Sequence, residues 1–439
     1  MTAISFLPEN DATNGWNRTL PPREPLPPLA GRHRADWIVV GAGFAGLAAA
    51  RRLAENRPSD SIALIEAREV AENASGRNSG FAIDLPHNTS GSLDELEASR
   101  RYIRLSRAAI AYLHKQVAEG SIDCDWSRRG RYHAAVSERG TAETLKPFAT
   151  ELEALDEPLR WLDRDDLRRE IGSSYYHAAV YTPGCVLLNP AALTRGLAAA
   201  LPNNVTLYEN SPIVVTAYGN EIELASPQGF IQAPRMVLCV NGFAPEFGFF
   251  HRRLLRFAAF ASLTRPLNET ERQALGVAES WGLTPANAFV SATMRYTNDH
   301  RILIRHHIPY APRHGVTETQ LAKVRKKHRR VFLQRFPMLP DVTLDYTWAG
   351  YVCLSRNNAP GFGRAASNIW TAVCQNAVGV TKGTIAGVLA ADMACGEDNA
   401  LIADMELLGK PEKLPPQPFL SLGVRIKNRW DLWRYRYEA

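Results

Sequence analysis

Cysteine is scarce: six of the 439 residues (Cys124, Cys185, Cys239, Cys353, Cys374 and Cys395), with no CxxC pair among them. That excludes a zinc ribbon and a disulfide-framed module, so no metal is expected. Scattered reduced thiols predict a cytoplasmic setting. Long apolar runs are also missing. Trp37–Val40 and the small-residue stretch Ala386–Ala391 fall far short of the roughly 20 residues that span a bilayer. The first residues lack a basic stretch followed by an apolar one, and no signal peptide is expected. Internal repeats are absent.

What is present reads as a folded chain of two domains. Hydrophobic residues make up 45% and charged residues 22%, close to the globular average, and the length exceeds one ordinary core. The net charge of +6 is concentrated in Lys323–Arg330 and in the tail from Arg425 to Tyr437. The first cluster falls on a helix predicted from about Thr317 to Phe336. Leu321, Val324, Val331 and Phe332 share one face there, and the cations read as the solvated one. The tail mixes cations with Trp430, Trp433, Tyr435 and Tyr437. It is expected to pack back on the body, arginine stems over aromatic rings, with peripheral membrane contact as its other use. Nucleic acid is not expected as a partner.

Residues 1–34 show neither helical nor strand period and read as an extended, Pro-rich arm, with Trp16 suggesting that it docks. From Ala35 the pattern changes. Trp37–Val40 is a buried-strand run, Phe44–Arg57 is helical, and Ser61–Glu66 is a second strand, a βαβ unit that implies a parallel sheet. A helical pattern covers 91–120. Asn189 and Pro190 suit the start of another helix. Strands are predicted at 205–208, 213–218, 221–225, 236–240, 257–263, 302–305 and 368–373, and a helix of small residues runs from Val380 to about Cys395.

Gly41-Ala42-Gly43-Phe44-Ala45-Gly46 lies between the first strand and its helix. Gly41 permits a tight turn, Gly43 lets the backbone approach a pyrophosphate, and Gly46 lets the helix pack on the sheet. Glu66, followed by Ala67 and Arg68, stands where a carboxylate meets an unphosphorylated ribose. These residues fit NAD or FAD alike. Three further segments bear on the choice. Ala74-Ser75-Gly76-Arg77-Asn78-Ser79-Gly80 can form a nest for phosphate and flavin. Val237–Val240 ends in Asn241-Gly242. Gly379-Val380-Thr381 opens the last helix, whose N-terminus can favour negative charge on the N1–C2=O edge of a flavin.

With Leu188-Asn189-Pro190, these segments resemble the D-amino-acid oxidase and glycine/sarcosine oxidase family of FAD enzymes. Gly15-Trp16-Asn17, the Ser-Gly-Arg-Asn-Ser-Gly stretch, Trp348-Ala349-Gly350 and Pro360-Gly361 look closer to its γ-glutamylputrescine oxidoreductase-like branch. The resemblance covers residues 10–400 and implies an α/β chain, α+β overall. A Rossmann-like FAD-binding domain would combine 35–90, 184–250 and 346–405. A substrate domain on a mostly antiparallel sheet would combine 91–183 and 251–345, between an arm (1–34) and a tail (406–439). FAD, held without a covalent bond, would extend from Glu66 to Gly379, with Val214 in a strand on its adenine side and Gly350 near the flavin.

The family's chemistry implies that a C–N bond of an amine or amino acid is oxidised to an imine by hydride transfer to flavin N5, with O2 or a quinone as acceptor. His306 and His307 are candidates for handling the ammonium proton, Arg305 for holding a carboxylate, and Trp348 and Tyr351 for aromatic walls. Each also has a plain structural reading. Two departures stand out. Residues 296–310 hold no lysine to assist O2, and Phe81-Ala82-Ile83 follow Gly80 where sarcosine oxidases offer an arginine. Cys353 falls a few residues late for covalent flavin attachment. Two other readings stay open: a flavoenzyme acting on a tRNA-borne amine, and a non-catalytic flavin-binding protein.

Overall fold

The computed structural model describes residues 2–86 and 93–439. The start of the helical pattern at 91 and the boundary between 90 and 91 lie outside the described residues; the helix itself runs Leu93–Glu119.

A six-stranded sheet carries the glycine motif. Its order is Val205–Tyr208, Ile62–Ile65, Trp37–Val40, Arg235–Leu238, Ile369–Val373 and Gly361–Ala366, with the last strand antiparallel and the others parallel. All four side chains of Trp37–Val40 are buried because both faces of the sheet are covered. Trp37 and Val39 pack towards helices Phe44–Asn56 and Thr384–Cys395. Ile38 and Val40 pack towards a five-stranded sheet that includes Val215–Tyr218, Ile222–Ala225 and Gly229–Ala233. The two helices touch through Gly387, where a Cβ would fall 2.0 Å from the Ala45 carbonyl oxygen.

The arm is built into this architecture. Thr2–Ala3 and Gly31–Arg34 form the two edges of the five-stranded sheet, and Gly15–Arg18 is a helical turn with Trp16 buried. These elements are two to four residues long, too short to leave a period in the sequence. Val214 lies one residue before the strand Val215–Tyr218 of the same outer sheet, and its carbonyl accepts from the Ile4 N–H at 2.8 Å.

The second large sheet has eight strands, in the order Leu344–Leu354, Leu255–Thr264, Ile302–Arg305, Thr293–Tyr296, Trp281–Pro285, Arg131–Ala135, Ala178–Thr182 and Arg160–Leu162. Strand period two divides its side chains. Met294 and Ile304 pack outwards against Phe332 and Phe336, at the end of helix Glu318–Arg335. Ala261, Leu263, Leu303 and Trp348 face inwards to the core shared with the nucleotide-binding sheet. Thr317 and Gln320 form the capping box that starts the covering helix. His328 and Arg335, within or just beyond its basic run, turn inwards and are buried.

The tail packs back in part: Tyr437 donates to Glu143 with Arg139 over its ring, and Arg434 and Arg436 lie over Trp430 and Trp433. Phe419–Arg434 is a helix with no buried residue, although Glu438 beyond it is fully buried.

Candidate functional site

At the turn after Trp37–Val40, Gly41 adopts a φ of +97°, and a Cβ there would lie 2.8 Å from the Cys239 carbonyl oxygen. At Gly46 a Cβ would lie 1.6 Å from the Gly41 carbonyl oxygen, so the helix can enter this close to the turn only without a side chain. Gly43 has extended backbone, and a Cβ there would meet the Ser75 hydroxyl at 2.6 Å. Ser75 accepts from the Phe44 N–H at 3.0 Å. Glu66 is buried. Its carboxylate accepts from the Ala42 N–H at 2.7 Å, the Arg68 N–H at 3.1 Å and the Asn73 amide at 2.9 Å. Burial raises its carboxyl above the ordinary range, and the two backbone N–H bonds work against that rise. Ala67 and Arg68 continue the loop.

The Ala74–Arg77 turn and Asn78–Gly80 run between this motif and the eight-stranded sheet. Arg77 is occupied by protein. Its Nε donates to the Glu72 carbonyl, and its terminal nitrogens donate to Asp11, Glu72 and the Ala349 carbonyl. It clamps the arm and the strand Leu344–Leu354 rather than offering a group to a ligand. Asn78 folds back on Ser75 and Gly80, and Ser79 is half-buried beside it. Trp348 donates to the Arg77 carbonyl at 3.0 Å, and a Cβ on Gly350 would sit 3.3 Å from the Arg77 Cβ. The segment therefore lies on the inner face of the sheet.

The residues present fit an extended dinucleotide. In open α/β sheets, ligands sit beyond the carboxyl ends of the strands, where the strand order reverses. Two side chains lie there with buried polar atoms that no protein group among the described residues satisfies: both ends of the amide of buried Gln375, after Ile369–Val373, and the Oδ1 of half-buried Asn241, after Arg235–Leu238. Gln375 sits beside the start of the glycine-motif helix: the Cβ position of Gly383 is 3.6 Å from Gln375 Cγ and 3.9 Å from the Ala45 nitrogen. Buried amides are rarely left unpaired without a missing partner. Gly379, Val380 and Thr381 form a π-helical turn running into Thr384–Cys395, and the Thr381 hydroxyl donates to the Ile83 carbonyl. Asn241 adopts a φ of +46°, and Gly242 faces Cys353.

The candidate catalytic residues separate by face. Arg305, Ala261 and Trp348 are register partners in one row on the inner face, with Thr293 on Arg305's other side. Arg305 donates to Thr293 and to the Ala288 carbonyl, and no carboxylate pairs with it among the described residues. Burial pulls its guanidinium down to about 10. Tyr351, three residues after Trp348, falls on the outer face with Phe260 and Ala349, and its hydroxyl accepts from the Gly315 N–H. His306 points outwards to the Val290 carbonyl and towards His328 of the covering helix, and His307 stacks on Phe260. The structure thus brings Arg305 and Trp348 together and sets His306, His307 and Tyr351 across the sheet from them.

Two cations on this side were not singled out in the sequence. Arg295 is fully buried. Its guanidinium donates to the Gly80 and Leu188 carbonyls and lies over the Trp16 ring. Two residues from Thr293 in one strand, it shares that residue's face. Lys382 is buried on the Gly379–Gly383 turn, 5.1 Å over the Tyr102 ring, and burial lowers its ammonium to about 8. A cation interrupting an otherwise apolar turn was its signal.

Burial holds His133 and His306 neutral down to about 3, and His307 and His328 down to about 4. An unfolded histidine titrates near 6.5, so below that pH the unfolded chain takes up protons first. Stability present above pH 6.5 is expected to drain away as pH falls towards 3–4. Thermal midpoints measured from pH 8 to 4 check this, and a flat profile from 7 to 4.5 contradicts it.

The model of the family described as FAD dependent oxidoreductase (DAO) matches residues 36–393. The chain is 26% identical over 397 residues to γ-glutamylputrescine oxidoreductase of Escherichia coli, covering 88% of this chain and 87% of that one. It is 25% identical over 390 residues to the probable oxidoreductase OrdL of Haemophilus influenzae, covering 86% of each. Among solved structures, glycine oxidase from Geobacillus kaustophilus superposes with a TM-score of 0.71 at 17% identity, over 88% of this chain and all of that one. L-proline dehydrogenase from P. horikoshii gives 0.68 at 16%, over 89% of this chain and all of that one. These likenesses show the fold.

Proposed function

The chain belongs to the FAD dependent oxidoreductase (DAO) family and is an enzyme with FAD as its cofactor, and from that premise we propose that it oxidises the C–N bond of an amine or amino acid to an imine. The observation that carries this reading is the row formed by Arg305 and Trp348 on the sheet face that packs against Arg77–Gly80. A half-buried guanidinium with no acidic partner among the described residues is suited to a substrate carboxylate, held by a two-pronged hydrogen bond. The relatives named for γ-glutamylputrescine, glycine and L-proline all point to amine nitrogen.

In this reading Gly41–Gly46 admits the pyrophosphate, and Glu66 and Ser75 flank the ribose and phosphate. Gln375, Asn241 and Thr381 offer the remaining polar contacts. Bound FAD supplies the acceptor for the hydride that leaves the carbon as the nitrogen lone pair closes the C=N bond. Arg305 would orient the substrate from the row it shares with Trp348, which is itself fully buried in the core, and Lys382 and Arg295 would hold positive charge near the bound group. No histidine is required as base, because an amine bound in its neutral form has no proton to lose before the hydride leaves. Cys353 is buried beside Cys374, and its thiol is held well above the ordinary range by that neighbour and by burial, which supports non-covalent FAD. The electron acceptor in this reading would be O2 or a quinone.

The test is an anaerobic screen of amino acids, polyamines and N-substituted amines against the holoenzyme. At least one is expected to bleach the visible flavin band and to release a carbonyl product. A flavin that only an alcohol bleaches, or that nothing does, removes the proposal.

A further inference from the structure

The C-terminal helix Phe419–Arg434 is amphipathic in the reverse sense. At 100° per residue, Phe419, Leu422, Ile426, Trp430 and Trp433 fall on one stripe, with successive spacings of three, four, four and three. In an ordinary surface helix this stripe would face the core. Here it is left exposed: the five side chains are 48–68% exposed, while Leu420, Val424, Asn428 and Asp431 of the opposite stripe are half-buried.

Both ends of the segment are fastened. Before it, Leu414 is buried and its N–H donates to the Arg252 carbonyl. After it, the buried Glu438 carboxylate accepts from the Val136 N–H at 2.9 Å and from the Ser137 N–H and hydroxyl at 3.1 and 2.7 Å. Tyr437 donates to Glu143 at 2.7 Å. The helix is thus tethered on both sides with its apolar stripe exposed.

Charge identifies what covers it. Arg429 and Arg434 flank the stripe on its two sides, with Arg425, Lys427 and Arg436 nearby. The helix's one acid, Asp431, is already paired with Lys427 at 2.6 Å. Arg434 lies 4.9 Å over Trp430 and Arg436 5.0 Å over Trp433, cation and ring together at the edge of the stripe. A second copy of this helix would bring cations against cations. An anionic bilayer surface satisfies both features: tryptophan and aliphatic side chains enter the headgroup boundary while arginines meet lipid phosphates. Sixteen residues give a helix about 24 Å long, enough to lie along a surface, and no described helix is long and apolar enough to cross a membrane.

We infer that Phe419–Arg434 docks the enzyme on the surface of an anionic lipid bilayer, lying in its plane. The inference rests on the helix alone and stands apart from the reaction proposed above.

The test uses the full-length holoenzyme sedimented with vesicles. Retention on vesicles of phosphatidylglycerol and phosphatidylcholine is expected to exceed retention on phosphatidylcholine alone by at least about tenfold and to fall as salt rises. Ile426→Asp changes one exposed position. It is expected to abolish retention while leaving flavin absorbance and the thermal midpoint unchanged. Failure to sediment with anionic vesicles overturns the inference, as does undiminished retention of Ile426→Asp. A dimer seen by light scattering and dispersed by Ile426→Asp also overturns it, by assigning the stripe to a second copy.

Discussion

Replacing Arg305 with alanine is expected to lower kcat/KM for a carboxylate-bearing amine by about 30- to 5,000-fold. That range corresponds to the 2–5 kcal/mol lost when one partner of a buried, charged hydrogen-bonded pair is truncated. The guanidinium is half-buried, burial lowers it, and no acid among the described residues pairs with it, which leaves its charge to a ligand. An amine without a carboxylate is expected to lose less than about threefold, within the spread of a neutral contact. Arg305→Lys keeps the charge but not the planar fork and should fall between the two. The measurement is the anaerobic half-reaction of each variant with both substrate types. Arg305 also tethers Thr293 and the Ala288 carbonyl. Equal losses with both substrates would show that this tether, rather than substrate anchoring, is its role.

Gly43→Val is expected to yield folded protein with less than about one-tenth of the FAD content. Gly43 has extended backbone that any residue adopts, so the substitution adds bulk without backbone strain. The bulk falls beside Ser75, where a Cβ would already be 2.6 Å from the hydroxyl. A side chain there pushes a pyrophosphate away from the helix N-terminus. Gly46→Val differs in kind: its Cβ would meet the Gly41 carbonyl oxygen at 1.6 Å, and loss of the fold itself is expected. Flavin absorbance per protein, read beside far-ultraviolet circular dichroism, separates the two. A Gly43→Val protein with full flavin content would show that the cofactor does not run past this residue.

The cofactor half was legible because its determinants are local. A strand, three glycines at fixed spacing, a helix and a carboxylate about twenty residues on all fall within 37–66 and depend on no distant partner. The helix from Thr317 was equally legible, since its capping box is a four-residue signal. The substrate half was less so. Trp348 and Tyr351 were grouped as walls, although a separation of three in a strand puts them on opposite faces. His306 and His307 were grouped with Arg305 because they adjoin it, yet they lie beyond the strand and turn outwards. Period two would have separated Tyr351 from Trp348. For the histidines it would not have shown which face meets the cofactor.

By itself, the sequence determined that this chain folds around a dinucleotide at its glycine turn, because that turn, helix and acid are set by sterics between neighbours in the chain. Tertiary structure decided which candidates share a face, that Arg77 is consumed as a clamp, and that the aromatic stripe of the last helix stays exposed. Those outcomes depend on strands 40 to 90 residues apart being laid side by side, and on which side of a helix is covered. Neither is encoded in any one segment.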